Sequence, residues 1–352
     1  MPSFFAKQLL LWQDDNPRPL PWDGGPRDPY HIWISEIIMQ QTRIEQGAPY
    51  YLAFINRFPS VQKLAAASTD EVLRYWQGLG YYSRARNVHK AARYIVDDLN
   101  GVFPLTYDGL LSLPGVGPYS AAAIASFAYG LPYPVVDGNV KRVIARFSGI
   151  TSSIDDAPVH EQIRQIASGF MKDSSPEEFN QAIMNFGAIV CKPKNPDCAT
   201  CPLSTRCYAL QHSMVSDLPL RSKKKSNVLR HLHFVVLHWD KKILLQQRGG
   251  KDIWQGLYTP PLLERNSVRA PSKAQFISFV NDLVGHSALE FISSSPAQQQ
   301  LLSHQTIIAR FHHIHLASAP TGKTKSGTWV TSKSIQKLAR PKMIVGVTDQ
   351  LF

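Results

Sequence analysis

The chain has 352 residues and a mass of 39.4 kDa, more than one hydrophobic core usually serves, so two domains are expected. Hydrophobic residues at 44% and charged residues at 18% exclude a wholly disordered chain, and no run approaches the roughly 18 apolar residues of a membrane span. A formal charge of +12, from 38 Lys and Arg against 26 Asp and Glu, favours a polyanionic partner such as nucleic acid.

The first twelve residues are apolar but interrupted by Lys7 and Gln8, and no small-residue cleavage site follows. The pattern predicts a short amphipathic helix rather than a secretory leader. From Pro29 to about Phe186 apolar residues recur at three- and four-residue spacing, with Pro or Gly as punctuation, which predicts an all-α region. Asp28 and Pro29 suit the cap and first position of a helix that carries Glu36. Ile32, Trp33, Met39 and Gln40 lie three and four positions from Glu36, so its carboxyl shares a half-buried face. Desolvation there raises a carboxyl pKa and makes a general acid usable near neutrality; a solvated glutamate on a helix edge is the alternative.

Residues 78–86, GLGYYSRAR, combine two glycines, Leu79, the paired aromatics Tyr81 and Tyr82, and two arginines. They suit a loop facing DNA, or one whose tyrosines cap the core. Residues 113–118, LPGVGP, join an apolar helix to an Ala-rich one. The backbone amides of Gly115, Val116 and Gly117 at that helix start form a phosphate site that reads no base. An ordinary tight turn between packed helices is the plainer alternative. Asp137 precedes Val140, Val143, Ile144 and Phe147, a helical stripe for which it is a plausible N-cap. Amide donors and the helix dipole would keep it ionised, as steadying a positive sugar requires. Glu36 and Asp137 thus form one acid and one anion, the pair that glycosidic cleavage through an oxocarbenium ion uses.

All four cysteines fall within one loop, Cys191, Cys198, Cys201 and Cys207, spaced C-x6-C-x2-C-x5-C. Such crowding fits a metal centre in a reducing compartment, hence the cytoplasm, better than a disulfide framework. A single close pair favours an iron-sulfur cubane over zinc, which remains the alternative. Lys192, Lys194 and Arg206 around it suit a structural cluster that offers cations to phosphate.

A polar, basic stretch over 211–230 reads as a linker between a region 1–210 and a domain 231–352. Beyond it, HLHFVVLHW and KILLQQR flank Asp240 and Lys241 as a hairpin, and 306–316 alternates like another strand. Helices are predicted at Ser272 to Val284 and Lys333 to Ala339, and the Gln-rich segment Pro296 to Leu302 as a loop, giving an α+β domain.

Taken together, LPGVGP at 113–118, VVDGNVKRV at 135–143 and the cysteine loop resemble the helix-hairpin-helix DNA glycosylases with a 4Fe-4S loop, the endonuclease III superfamily. Lyase members carry a lysine two residues after the second hairpin glycine; here that residue is Tyr119. Tyr119, LPW at 20–22, WISEIIMQQT at 33–42 and GLGYYSRARN at 78–87 resemble the adenine glycosylases of the MutY type. The C-terminal part is similar to that branch's Nudix-like domain through RGG at 248–250, WQGLYTPP at 254–261 and LARP at 338–341, without the acidic metal-binding box.

The resemblance implies an all-α helix-hairpin-helix glycosylase domain with one 4Fe-4S cluster on the four cysteines, followed by an α+β Nudix-like domain. It implies Glu36 as the acid that protonates adenine N7, Asp137 as the carboxylate at the sugar cation, and Tyr119 and Asn139 as its helpers. It also implies Gln41 and Tyr81 as wedges in the base stack, and Ser303 and His304 of LSH at 302–304 as readers of 8-oxoguanine. Leu302 departs from the family's Phe at that loop. The expected protein is a monomeric, monofunctional enzyme of the bacterial cytoplasm and nucleoid, free of membrane, acting on duplex DNA with A:8-oxoguanine or A:G mispairs. A bifunctional glycosylase for oxidised pyrimidines and a damage-binding protein without catalysis are the rival readings.

Overall fold

A computed structural model of the chain describes residues 2–18, 27–222, 227–250, 252–267, 269–285, 289–320 and 326–351. The motif at 20–22 and the lysines at 223–225 lie outside the described residues. Helices come first: α1 (Phe4–Asp15), α2 (Pro29–Met39), α3 (Ile44–Arg57), α4 (Val61–Ala65), α5 (Thr69–Tyr75), α6 (Ser83–Asp97), α7 (Tyr107–Leu111), α8 (Pro118–Tyr129), α9 (Gly138–Ser148), α10 (Ala157–Met171), α11 (Pro176–Ile189) and α12 (Tyr208–Gln211). The strands β1 (Val228–Trp239), β2 (Lys242–Gln247), β3 (Tyr258–Thr259) and β4 (Leu262–Arg265) follow. Then come α13 (Lys273–Val284), β5 (Leu289–Ser294), β6 (Gln298–Leu301), β7 (Gln305–Leu316), β8 (Thr328–Val330), α14 (Ser332–Ile335) and α15 (Lys342–Thr348).

Two compact units result: Met1–Ala66 with Lys90–Lys223, and Ala67–His89 with Lys224–Phe352. The first is helical. Helix starts follow local chemistry: Asp28 Oδ1 accepts from Tyr30 N at 2.8 Å with Pro29 as the first helical residue, and Gly117 precedes Pro118 at the start of α8. Ser120 to Ser126 of α8 are all buried, so this small-residue helix runs through the middle and packs against α2, α7 and α11. A second core gathers Phe5 and Leu9 of α1, Val143 and Ile144 of α9, Ile163 and Ala167 of α10, and Phe179 and Ile183 of α11.

The second unit is built on an eight-stranded mixed sheet ordered β3-β2-β1-β7-β5, with β4 on β1, β6 on β7 and β8 on β2. The hairpin β1–β2 turns at Asp240 and Lys241, both left-handed at φ 44° and 55°, as a type I′ turn requires. Strand β1 then pairs in parallel with β7 from Val228 and Gln305 to His238 and His315. Helix α13, opened by a Ser272–Gln275 capping box, lays Phe276 and Val280 on Val235, Leu237 and Ile314.

Three expectations change. The Gln-rich loop is partly strand β6, because its backbone pairs with β7 whatever its side chains are. The expected helix 333–339 stops at Ile335, and a separate α15 begins at Lys342, after Pro341. The linker's last residues, 228–230, enter β1, where β7 supplies backbone partners. Residues 67–89 are hydrogen-bonded to the sheet: Asp70 accepts from Gln247 Nε2 at 2.9 Å and from the Tyr258 hydroxyl at 3.2 Å, and Arg86 donates to Gln255 O at 2.8 Å.

Candidate active site

Within the helical unit, α2, α8 and α9 bring the sequence-predicted acid and anion together. Glu36 sits on α2, half-buried, and the Tyr119 hydroxyl, from the first turn of α8, donates to its Oε2 at 2.5 Å. Burial pushes the Glu36 carboxyl up to about 7, against the pull of the tyrosine hydrogen bond, and the charge of Asp137 raises it further. Tyr119 thus hydrogen-bonds Glu36, while the charge of Asp137, which the resemblance implies it assists, also acts on it. Its own pKa is raised, first by burial and then by Glu36.

Asp137 caps α9, accepting from Val140 N at 2.7 Å through Oδ1 and from Asn139 Nδ2 at 2.9 Å through Oδ2. Burial nonetheless outweighs these donors, and its pKa is raised rather than lowered. The expected anion is thus less favoured than its cap position suggests, though it lacks the large shift seen at Glu36.

Three supports for this pair were not read from the sequence. Buried Asn180 of α11 accepts from Val135 N at 2.9 Å and donates to Tyr133 O at 2.9 Å and Ser126 Oγ at 2.8 Å, fixing the segment that delivers Asp137. Arg142, one turn along α9, donates to Asn139 Oδ1 at 2.9 Å, Gly187 O at 2.7 Å and Cys191 O at 2.7 Å. Gly187 permits this approach, since a Cβ there would stand 2.7 Å from that of Asn139. The signal available was the pair Arg142 and Arg146, four apart beside the apolar stripe of α9, where a helix rarely buries cations without a purpose.

The four cysteines line a single cavity together with Arg146, whose Nη1 lies 3.5 Å from Cys191 Sγ. Burial, followed by mutual charge repulsion, pushes up Cys198 and Cys207, and Cys201 to about 11. Thiols so placed become thiolates when a cationic centre offsets that cost. As the side chains stand, no group of three or more His, Cys, Asp or Glu among the described residues is set to hold a metal ion. Lys192 and Lys194 are exposed, while the Arg206 guanidinium lies 4.2 Å from the centre of the Phe4 ring.

The expected DNA-contacting residues divide by exposure. Gln41, just past α2, and Tyr81 are exposed and both hold left-handed backbones, at φ 58° and 47°. Leu79 is half-buried. Gly115 is exposed at φ 76° and Gly117 faces open space, but the Val116 side chain is buried, so that residue can offer only its backbone. In the sheet unit Ser303 and His304 are exposed at the tip of the β6–β7 hairpin, and Ser303 Oγ is hydrogen-bonded to the Tyr81 hydroxyl. Leu301, beside them and overlooked in the sequence, is 71% exposed, an apolar side chain where Leu302 is half-buried. A cavity of about 310 Å³ lined by Tyr107, Tyr119, Tyr133, Val136 and Arg164 lies beside the acid–anion pair without including either member. No described helix is long and apolar enough to cross a membrane.

The chain is similar to known proteins in both of its domains. Residues 34–168 match the HhH-GPD superfamily base excision DNA repair protein family, and residues 232–350 match the NUDIX domain. The adenine DNA glycosylase of Buchnera aphidicola subsp. Schizaphis graminum is 30% identical over 356 residues, spanning 98% of both chains. The adenine DNA glycosylase of Homo sapiens is 41% identical over 59% of this chain and 39% of its own. A solved thermostable thymine-DNA glycosylase matches 59% of this chain and 95% of its own, with TM-score 0.55 and 28% identity. A non-covalent endonuclease III–DNA complex covers 60% of this chain and 95% of its own, with TM-score 0.52 and 23% identity, a likeness of fold. With a relative matched end to end and both domains accounted for, the chain belongs to the adenine DNA glycosylase family.

Proposed function

We propose that this enzyme hydrolyses the N-glycosidic bond of adenine mispaired with 8-oxoguanine or guanine in duplex DNA, without an efficient lyase step. The observation that carries the chemistry is the contrast between Glu36, raised to about 7 beside Tyr119, and Asp137, held by Val140 N and Asn139. A base cannot be reached inside the duplex, so the adenine leaves the stack, with Gln41 and Tyr81 filling behind it. Protonated Glu36 donates to N7, which makes adenine a better leaving group. The carboxylate of Asp137 faces the sugar as positive charge develops and steadies it. Tyr119 offers no amine for a Schiff base, which leaves water as the acceptor of the sugar.

Recognition of the opposite base is assigned to Ser303 and His304, with Leu301 supplying an apolar contact. Their exposure at a hairpin tip supports this reading. Gly115 and Gly117, with the Val116 amide, are assigned to a phosphate, which suits a chain of charge +12. Cys191, Cys198, Cys201 and Cys207 would hold one 4Fe-4S cluster, a donor set matched by four thiols on one cavity. Bound there, the cluster would tie residues 191–207 into a fixed, lysine-bearing loop.

Single-turnover release of adenine is to be measured on duplexes with A opposite 8-oxoguanine, guanine or thymine, scoring strand cleavage with and without alkali. Release at the first two with alkali-dependent cleavage is expected. Equal release opposite thymine would refute the mispair reading, and alkali-independent cleavage trapped by borohydride would refute the monofunctional one.

A further inference from the structure

Histidine is concentrated on the sheet in a way that DNA repair chemistry does not use. His238 of β1 pairs in register with His315 of β7, and His313 lies two residues earlier on the same strand, hence on the same face. On the far side of β7, Glu290 of β5 pairs with His315. One face of three adjacent strands therefore carries three imidazoles and a carboxylate. His238 Nε2 and His313 Nδ1 are 3.0 Å apart, and the His238 ring stacks on those of both His313 and His315, at 5.3 and 5.1 Å between centroids. His238 and His313 are half-buried, whereas His315 and Glu290 are exposed, so the group opens to solvent on one side.

We propose that His238, His313 and His315, with Glu290 beside them, form a site for a borderline divalent cation of the zinc class. Three imidazoles and one carboxylate are a donor set such ions prefer, while calcium or magnesium would call for oxygen alone. Two nitrogens bound to one tetrahedral zinc stand about 3.3 Å apart, close to the separation already present between His238 and His313. The hydrogen shared by those two nitrogens moves to the far nitrogen of its own ring, so neutral imidazoles become ligands without net proton release. His315 and Glu290 must swing inward, since the side chains do not yet surround one point. Their exposure leaves room for that rotation. A bound ion would cross-link β1, β7 and β5 and stabilise the sheet unit by mass action.

The test titrates zinc into tag-free, iron-loaded full-length protein against a chromophoric chelator, followed by zinc X-ray absorption. One zinc per chain is expected, with nitrogen and oxygen neighbours at about 2.0–2.1 Å rather than sulfur at about 2.3 Å. His313→Gln and His315→Gln are each expected to weaken binding by at least about tenfold with iron content unchanged. Because His315 is exposed, His315→Gln keeps the test valid even if His313→Gln unfolds the sheet. Sulfur ligation would place the metal on the cysteine loop instead and overturn the proposal. Wild-type affinity in His315→Gln, or no binding at micromolar zinc, would overturn it as well.

Discussion

The two units bury ionisable groups for opposite ends. In the helical unit Glu36 is kept near its protonated form, with a pKa of about 7, while in the sheet unit His238 and His312 are kept neutral, each pushed down to about 4. Burial is the first cause in all three; what differs is which form of the group carries charge. A carboxyl raised above its unfolded value lends stability that is complete at low pH and lost as pH rises toward 7. An imidazole lowered below its unfolded value lends stability that is complete above about 6.5 and lost as pH falls toward 4. Between those limits acidification relieves the catalytic unit and strains the sheet unit. The helical unit thus holds a carboxyl that titrates near neutrality, whereas burial in the sheet unit favours the uncharged form of His233, His238, His312 and His313.

The largest break in this comparison is Glu36→Gln. The amide cannot donate a proton, so adenine release is expected to fall by about 10²–10⁴-fold while mismatch binding persists, as single-turnover kinetics and a filter-binding assay would report. The same change removes a buried anion at alkaline pH. At pH 8 the variant is expected to be more stable than the parent by on the order of 2 kcal/mol, and at pH 4.5 to match it, as thermal unfolding would show. A variant that retains activity would mean that Glu36 is not the proton donor, and one no more stable at pH 8 would mean that burial does not raise its pKa.

Gly187→Ala sharpens the comparison from within the helical unit. Its Cβ would fall 2.7 Å from that of Asn139, so α11 or Asn139 must move, and Arg142 ties the same atoms to Cys191. Displacement by a fraction of an ångström is expected to cost about 10- to 10²-fold in single-turnover rate with little change in DNA affinity. An unchanged rate would show that Asn139 tolerates displacement. This coupling also marks where the sequence stopped being informative. The caps at Asp28 and Asp137 were legible because an N-cap is a contact between residues two or three apart. Asn180, Arg142 and the partner of Tyr119 were not, since those contacts span 45 to 83 residues and follow from helix packing. In the sheet unit the hairpin at Asp240 and Lys241 was legible for the same local reason. Strand β6 was misread as a loop because its pattern is polar, its stability coming from backbone pairing with β7.

Tyr119→Phe has a smaller effect and a diagnostic sign. The hydroxyl favours the ionised form of Glu36, so its loss raises that pKa further. Activity of the parent is expected to decline as pH rises through about 7, because the acid is lost. In the variant that limb should move upward by about one unit, with a modest loss of maximal rate. A downward shift would mean that Tyr119 serves Asp137 instead, the role first implied by resemblance.

The smallest expected effect lies in the sheet unit and touches no chemistry. His312 Nδ1 lies 2.8 Å from Ser294 Oγ, His312 Nε2 lies 3.0 Å from His233 Nδ1, and His233 Nε2 lies 3.4 Å from Ser267 O. One set of neutral tautomers satisfies the whole chain: the serine donates to His312, His312 to His233, and His233 to the carbonyl. In this arrangement a proton added at His233 Nδ1 would face the donor at His312 Nε2, and burial is the first cause that keeps both imidazoles neutral. Ser294→Ala removes only the first donor. Because Ser294 is exposed and water can replace its hydroxyl, the cost should be about 1 kcal/mol, read by denaturant unfolding at pH 7.5, with adenine release unchanged. The loss should be unchanged at pH 5, because His312, pushed down to about 4, is still mostly neutral there. A loss that instead grows on acidification would mean that this chain holds a charged imidazole, and the opposite pH responses of the two units would fail with it.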